Sequence, residues 1–215
     1  MMITSAKAAT ARPEPKTLKA LNEALVADAP LVPGATKWVL GEGPIRSPIA
    51  FVGEQPGDQE DLQGRPFVGP AGRLLDRAMV EAGIARDRSY FTNAVKYFKF
   101  AQRGKRRIHQ RPTAGEVRHY RWWPMKELEF VEPRIVVALG ATAVLALSGK
   151  ALSIARTRGE ARFDGHLGFI TVHPSSLVRI PAEDDRRRAY ADFVADLRQI
   201  RSLSERDGAA RAAAG

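Results

Sequence analysis

Five stretches of this 215-residue chain carry side chains able to do chemistry. The first is Gly53-Glu54-Gln55-Pro56-Gly57-Asp58. Glycine lets a backbone come close to a ligand. Crowded carboxylates serve as general bases or stabilise developing positive charge, and they also cap or simply solvate a turn. No Gly-Lys-Ser/Thr follows, so the turn is not a phosphate-binding P-loop. The second stretch, Gln63 to Arg73, sets Phe67 among glycines and prolines. Such a ring stacks on a base or plugs its loop into the core. The third holds Asn93, whose amide offers one donor edge and one acceptor to a base, or caps a turn. In the fourth, Lys99 to Pro112, six of fourteen residues are basic and flank Phe100 and His109. This composition suits a loop that tracks a phosphate backbone. A neutral imidazole within it is a nucleophile, a base or a ligand. The fifth is His173-Pro174-Ser175-Ser176-Leu177. Proline pushes the preceding residue into extended geometry, which aims His173 out of a strand end. Leu177 is either a wedge into a base stack or a core residue.

These residues need a frame. Ile49-Ala50-Phe51-Val52, Tyr90-Phe91-Thr92, Ile135 to Leu139 and Phe169 to Val172 are short apolar runs that read as buried strands. Helices are predicted between them. One opens at Gly69-Pro70 and closes at Gly83, and one runs from a Thr113/Glu116 capping box to about Phe130. Another follows Gly140, and the last carries Tyr190, Phe193, Val194, Leu197 and Ile200 at helical spacing. Alternation of this kind predicts an α/β domain, a mainly parallel central sheet with helices on both faces. Ligands of such sheets bind beyond the carboxyl ends of the strands. Three of those ends carry polar groups, at Gly53-Glu54, Asn93 and His173. The domain is expected to span 17–203, between a disordered tail over 1–16 and a flexible tail over 204–215, both poor in large apolar residues.

Composition narrows the function. The chain has no cysteine, which excludes disulfides, thiolate metal sites and cysteine nucleophiles. The four histidines lack ligand spacing, so no metal is expected. Net charge is +10, and 25 of the 34 basic residues are arginine, which points to a polyanion, nucleic acid first. No apolar run is long enough to cross a membrane and no secretory signal opens the chain, so a cytoplasmic protein without membrane contact is expected.

The order of the motifs is more specific than any one of them. Gly53 to Gly57, Gly64 to Gly72, Thr92 to Lys96 and His173 to Leu177 together resemble the uracil-DNA glycosylase superfamily, in particular its family-4-like branch. The resemblance runs from about Leu40 to Leu197, and Lys105-Arg106-Arg107-Ile108-His109 is similar to the basic loop of the UdgX class. It implies that Phe67 stacks on a flipped uracil, that Asn93 bonds its Watson–Crick edge and that Gly53 lets the base approach. By the same resemblance His173 donates to uracil O2, while Glu54, Gln55 and Asp58 orient the nucleophile. Lys105, Arg106, Arg107, Ser175, Ser176, Leu177 and Arg179 would contact DNA. In ordinary members the nucleophile is water; in the UdgX class the loop histidine, here His109, attacks C1′ and stays attached to the abasic sugar. The partner so implied is uracil-containing DNA, preferably single-stranded, met by a monomer. A hydrolytic glycosylase and a non-catalytic DNA-binding module are the alternatives. Relatives of this branch normally hold a 4Fe–4S cluster. Its ligand positions would fall near Val26, Ala29, Tyr97 and Tyr120. With no thiolate there, no cofactor is expected, and packing around Trp122 and Trp123 is expected to fill the space.

Overall fold

Each apolar run splits its residues between two faces of one sheet, because successive strand side chains point opposite ways. The computed structural model describes residues 14–31 and 37–214, so most of the tail expected over 1–16 lies outside the described residues. Helix α1 (Leu18–Ala27) starts at Thr17, whose hydroxyl accepts from Ala20 N at 3.1 Å. Strand β1 (Ile49–Gly53) follows, then α2 (Asp58–Gln63), α3 (Pro70–Ala82) and β2 (Ser89–Asn93). A hairpin comes next, β3 (Phe100–Arg103) and β4 (Arg106–His109), then α4 (Ala114–Tyr120) and α5 (Trp122–Val131). The chain finishes with β5 (Ile135–Leu139), α6 (Ala141–Ser148), α7 (Ile154–Thr157), β6 (Gly159–Phe163), β7 (His166–Thr171), α8 (Pro174–Val178) and α9 (Glu183–Ala214).

The main sheet runs β2-β1-β5-β7-β6, parallel except for β6, which pairs antiparallel with β7. Phe51, Phe91, Val137 and Phe169 pack on α3 and α9 through Leu75, Met79, Phe193 and Leu197. Their neighbours Ala50, Val52, Val136 and Ile170 pack on α5 and α6 through Leu128, Val131, Val144 and Leu147. The expected α/β domain with a mainly parallel sheet is therefore what the chain forms. Parallel register sets Gly53 beside Asn93 and Leu139 beside Thr171 at one edge, the edge where a site was expected. No helix among the described residues is long and apolar enough to cross a membrane.

Four sequence expectations need correction. The basic stretch 99–112 is a β-hairpin, not an irregular loop, turning at Gly104 with φ of +58°. Glycine at that first turn position suits a tight hairpin. The helix expected from Thr113 to Phe130 is two helices. The Thr113/Glu116 capping box starts the first, and Pro124, lacking an N–H for the Tyr120 carbonyl, fits the break before α5. Strand β6 was not foreseen, because its Gly-Glu-Ala-Arg-Phe has few apolar residues and lies at an edge. Residues 204–214, read as a flexible tail, continue α9 instead. Alanine favours helix, and Ser204 is buried, donating to the Pro48 carbonyl at 3.0 Å.

One polar network lies inside. Lys96 and Glu127 are both 1% exposed and are ion-paired. Glu127 also accepts from Tyr90 at 2.7 Å and from Thr92 at 2.6 Å. Removing one partner of a buried pair leaves an uncompensated charge. Lys96→Met is therefore expected to destabilise the fold by about 3–5 kcal/mol, measured by urea unfolding. A change below about 1 kcal/mol would contradict this.

Candidate active site

The edge carrying Gly53, Asn93 and the start of α8 opens into a cavity of about 920 Å³. Glu54, Gln55, Asp58, Phe67, Asn93, His109, His173, Ser175, Ser176 and Arg179 all line it. Sequence segments more than a hundred residues apart thus converge on one pocket.

Its floor is built by close approach. A Cβ on Gly53 would lie 2.4 Å from Asn93 Oδ1 and 2.7 Å from the Phe67 ring, so only glycine fits at this strand end. Phe67 is 5% exposed, with φ of +56°. Its ring packs against Phe91 at 5.9 Å and lies nearly parallel to the His173 ring at 6.3 Å. Phe67 is thus a core residue that also borders the pocket. Asn93 is buried beside it.

His173 caps α8. Its Nδ1 accepts from Ser175 N at 3.2 Å, with Ser175 Oγ at 2.8 Å. An accepting Nδ1 leaves the proton of neutral imidazole on Nε2. Burial lowers the His173 pKa to about 4; Arg179 and His109 push the same way, against the opposing pull of Glu54. At neutral pH His173 is therefore an uncharged hydrogen-bond donor.

Glu54 divides its two oxygens. Oε1 faces His109 Nε2 at 3.3 Å. Oε2 accepts from Thr142 Oγ1 at 2.5 Å and lies 3.4 Å from Arg111 Nε. Burial raises the Glu54 pKa, but the hydrogen bonds from His109 and Thr142 and the fields of His109 and His173 together outweigh it. The carboxyl is held below the ordinary carboxylate range and is ionised at neutral pH.

The hairpin that carries His109 is stapled to the first motif. Gln55 donates to the carbonyls of Lys99 at 3.2 Å and Gln110 at 3.0 Å. Arg107 reaches Asp58 at 2.6 Å and Asp61 at 2.5 Å, over the rings of Phe98 and Phe100. Arg107, expected on DNA phosphates, is thus occupied within the protein. Asp58 and Gln55, expected to orient the nucleophile, line the pocket and also bond to the hairpin that bears His109. Lys105 and Arg106 remain exposed near the hairpin turn, and Arg179 is exposed at the rim.

Leu177 is the other correction. It is 2% exposed and packs into the core with α3 and α9, so it is no wedge. Pro174 starts a helical turn at the strand end, which rotates Leu177 inward and leaves Val178 exposed at 47%. Ser176 is tied to the His173 carbonyl at 2.7 Å.

Sequence reasoning missed Thr142 and Arg111. Arg111 lay unremarked in the basic stretch. Thr142 comes from the one strand end that showed no polar group, two residues after Gly140, on the first turn of α6.

The cluster implied by the resemblance does not fit these residues. Tyr97 and Tyr120 are buried with ring centroids 5.4 Å apart, and Trp38 meets them edge-on at 5.8 and 6.0 Å. Tyr120 Oη accepts from Leu31 N at 2.8 Å. Val26 and Ala29 are exposed. Trp123 and Trp122 join the same apolar cluster, with Trp38 packed against it. Among the described residues no group of acidic or imidazole side chains is arranged to hold a metal ion.

Residues 40–198 match the family model of the uracil DNA glycosylase superfamily, and the chain belongs to that superfamily. It is 37% identical to a type-4 uracil-DNA glycosylase of Thermotoga maritima over 76% of this chain and 83% of the relative. Similar proteins of the same description occur in Archaeoglobus fulgidus, 38% identical over 50% of this chain and 51% of the relative, and in Pyrobaculum aerophilum, 32% identical over 67% and 74%.

Proposed function

We propose that this protein excises uracil from DNA and captures the resulting sugar covalently through His109. The observation that carries this reading is the His109–Glu54 couple at 3.3 Å, held over the pocket by a stapled hairpin.

The chemistry follows from the groups present. Uracil enters with its ring against Phe67 and its edge at Asn93. The C1′–N1 bond breaks with its electron pair going to uracil. His173 donates its Nε2 proton as a hydrogen bond to the departing anion, and the Glu54 carboxylate stabilises the oxocarbenium sugar. The lone pair of the neutral His109 ring then forms a bond to C1′, and Glu54 accepts the proton that the imidazolium releases. The proton taken by Glu54 passes through solvent to the uracil anion, so the products are free uracil and a protein–sugar adduct. An alkylimidazole is a poor leaving group, so each molecule acts once.

Flipping a base out of a duplex costs a few kcal/mol, which a single strand largely avoids, so single-stranded DNA is the preferred substrate. Lys105, Arg106 and Arg179 are the exposed cations placed to meet its phosphates, with Ser175 and Ser176 beside the lesion. The protein acts as a monomer without cofactor, the aromatic packing of Trp38, Tyr97 and Tyr120 standing at positions where the family resemblance implies a cluster. Hydrolytic excision is the second reading, favoured by the type-4 description of the relatives.

The test is a single-stranded oligonucleotide with one uracil, incubated with the protein and heated in detergent before a denaturing gel. A retarded, heat-stable band is expected. Strand breakage in alkali without that band would support the hydrolytic reading, and neither signal would leave a binding module.

A further inference from the structure

We propose that Thr142 is a positioning residue, whose hydroxyl holds Glu54 Oε2 so that Oε1 stays turned to His109. The inference rests on the excision reading above and deepens it. Thr142 is buried, and its Oγ1 donates to Oε2 at 2.5 Å while Arg111 Nη2 points at the same Oγ1 from 3.4 Å. A hydroxyl has one proton. Accepting from Arg111 directs that proton to Glu54, so the two contacts reinforce one orientation.

The anchor is rigid where its neighbours are not. Thr142 opens a run of buried residues through Leu147 in α6, which packs against the sheet. Arg111 also touches Oε2, but its side chain is 66% exposed, and solvent screens it. Without the hydroxyl, Oε2 keeps only this exposed contact and the carboxylate can turn away from His109. The groups that face Glu54 are His109 from β4, Arg111 just beyond it, His173 from the end of β7 and the neutral Thr142 from α6. Of these, Thr142 is the donor that does not titrate, and its loss leaves burial less opposed. The Glu54 carboxyl then takes a proton at higher pH.

The experiment follows the rate of uracil release, rather than the adduct, against pH. Release reports on Glu54 without requiring the His109 lone pair. Thr142→Val is expected to slow release about tenfold at neutral pH and to move its acid limb up by about one pH unit. Thr142→Ser keeps the hydroxyl and is expected to restore both. Should Thr142→Val fail to fold, Thr142→Ala removes the same hydroxyl and carries the test. A purely structural role would lower the melting temperature and leave the acid limb in place. A folded hydroxyl-free variant with the wild-type limb and rate overturns the proposal. Adduct measured in parallel separates the two readings: wild type without adduct rejects capture by His109, while the limb of uracil release still decides on Thr142.

Discussion

His109→Ala is expected to abolish the heat-stable adduct while uracil release continues. The two outcomes separate because bond breakage and capture use different groups. Departure of uracil draws on the Glu54 carboxylate and the neutral His173 donor, which both remain, Glu54 losing the hydrogen bond from His109 but keeping the one from Thr142. Capture needs a lone pair at C1′, and alanine has none. Water can then reach the sugar cation, and the protein should release free uracil and an abasic site over repeated turnovers. The hairpin should persist, since Gln55, Asp58 and Asp61 grip it through Lys99, Gln110 and Arg107, not through the imidazole. Adduct is read on a denaturing gel and uracil by chromatography. Undiminished adduct from His109→Ala would assign the nucleophile to another residue.

Glu54→Gln is expected to act differently, lowering adduct and uracil release together by about 10²–10⁴-fold. Glutamine keeps the shape and can still accept from Thr142, so the fold should hold. What it loses is the negative charge opposite the developing sugar cation and the acceptor for the His109 proton. The pair of variants thus divides the reaction into two parts. If Glu54→Gln removed adduct but left release intact, the carboxylate would serve capture alone and its electrostatic role would be wrong.

Much of the frame was legible because its signals are local. Ile49 to Val52, Tyr90 to Thr92 and Ile135 to Leu139 are apolar runs cut off by turn residues, and β1, β2 and β5 lie over them. Gly69-Pro70 and Gly83 bracket α3 in the way their backbone preferences require. The pocket was legible too, since parallel strands bring their carboxyl ends to one edge and the chemistry-bearing residues sat at those ends. What failed depended on distant partners. The hairpin of His109 has no apolar period. It exists because Arg107 finds Asp58 and Asp61 nearly fifty residues away, a match that spacing alone does not reveal. The same pairing ties two expected site residues, Arg107 and Asp58, to each other. Leu177 was misplaced because a five-residue helix begins at Pro174. Thr142 was invisible because its strand end looked purely structural and its importance comes from one contact 88 residues away.

The central claim is a bond between His109 and the sugar, and mass spectrometry tests it most directly. The protein is incubated with a uracil-containing single strand, digested with nuclease and protease, and the sugar-bearing peptide is sequenced by fragmentation. The expected result is an intact adduct equal in mass to protein plus oligonucleotide minus uracil, with the abasic sugar mapped to His109. Unmodified protein beside free uracil, or a sugar mapped to any other residue, would contradict it.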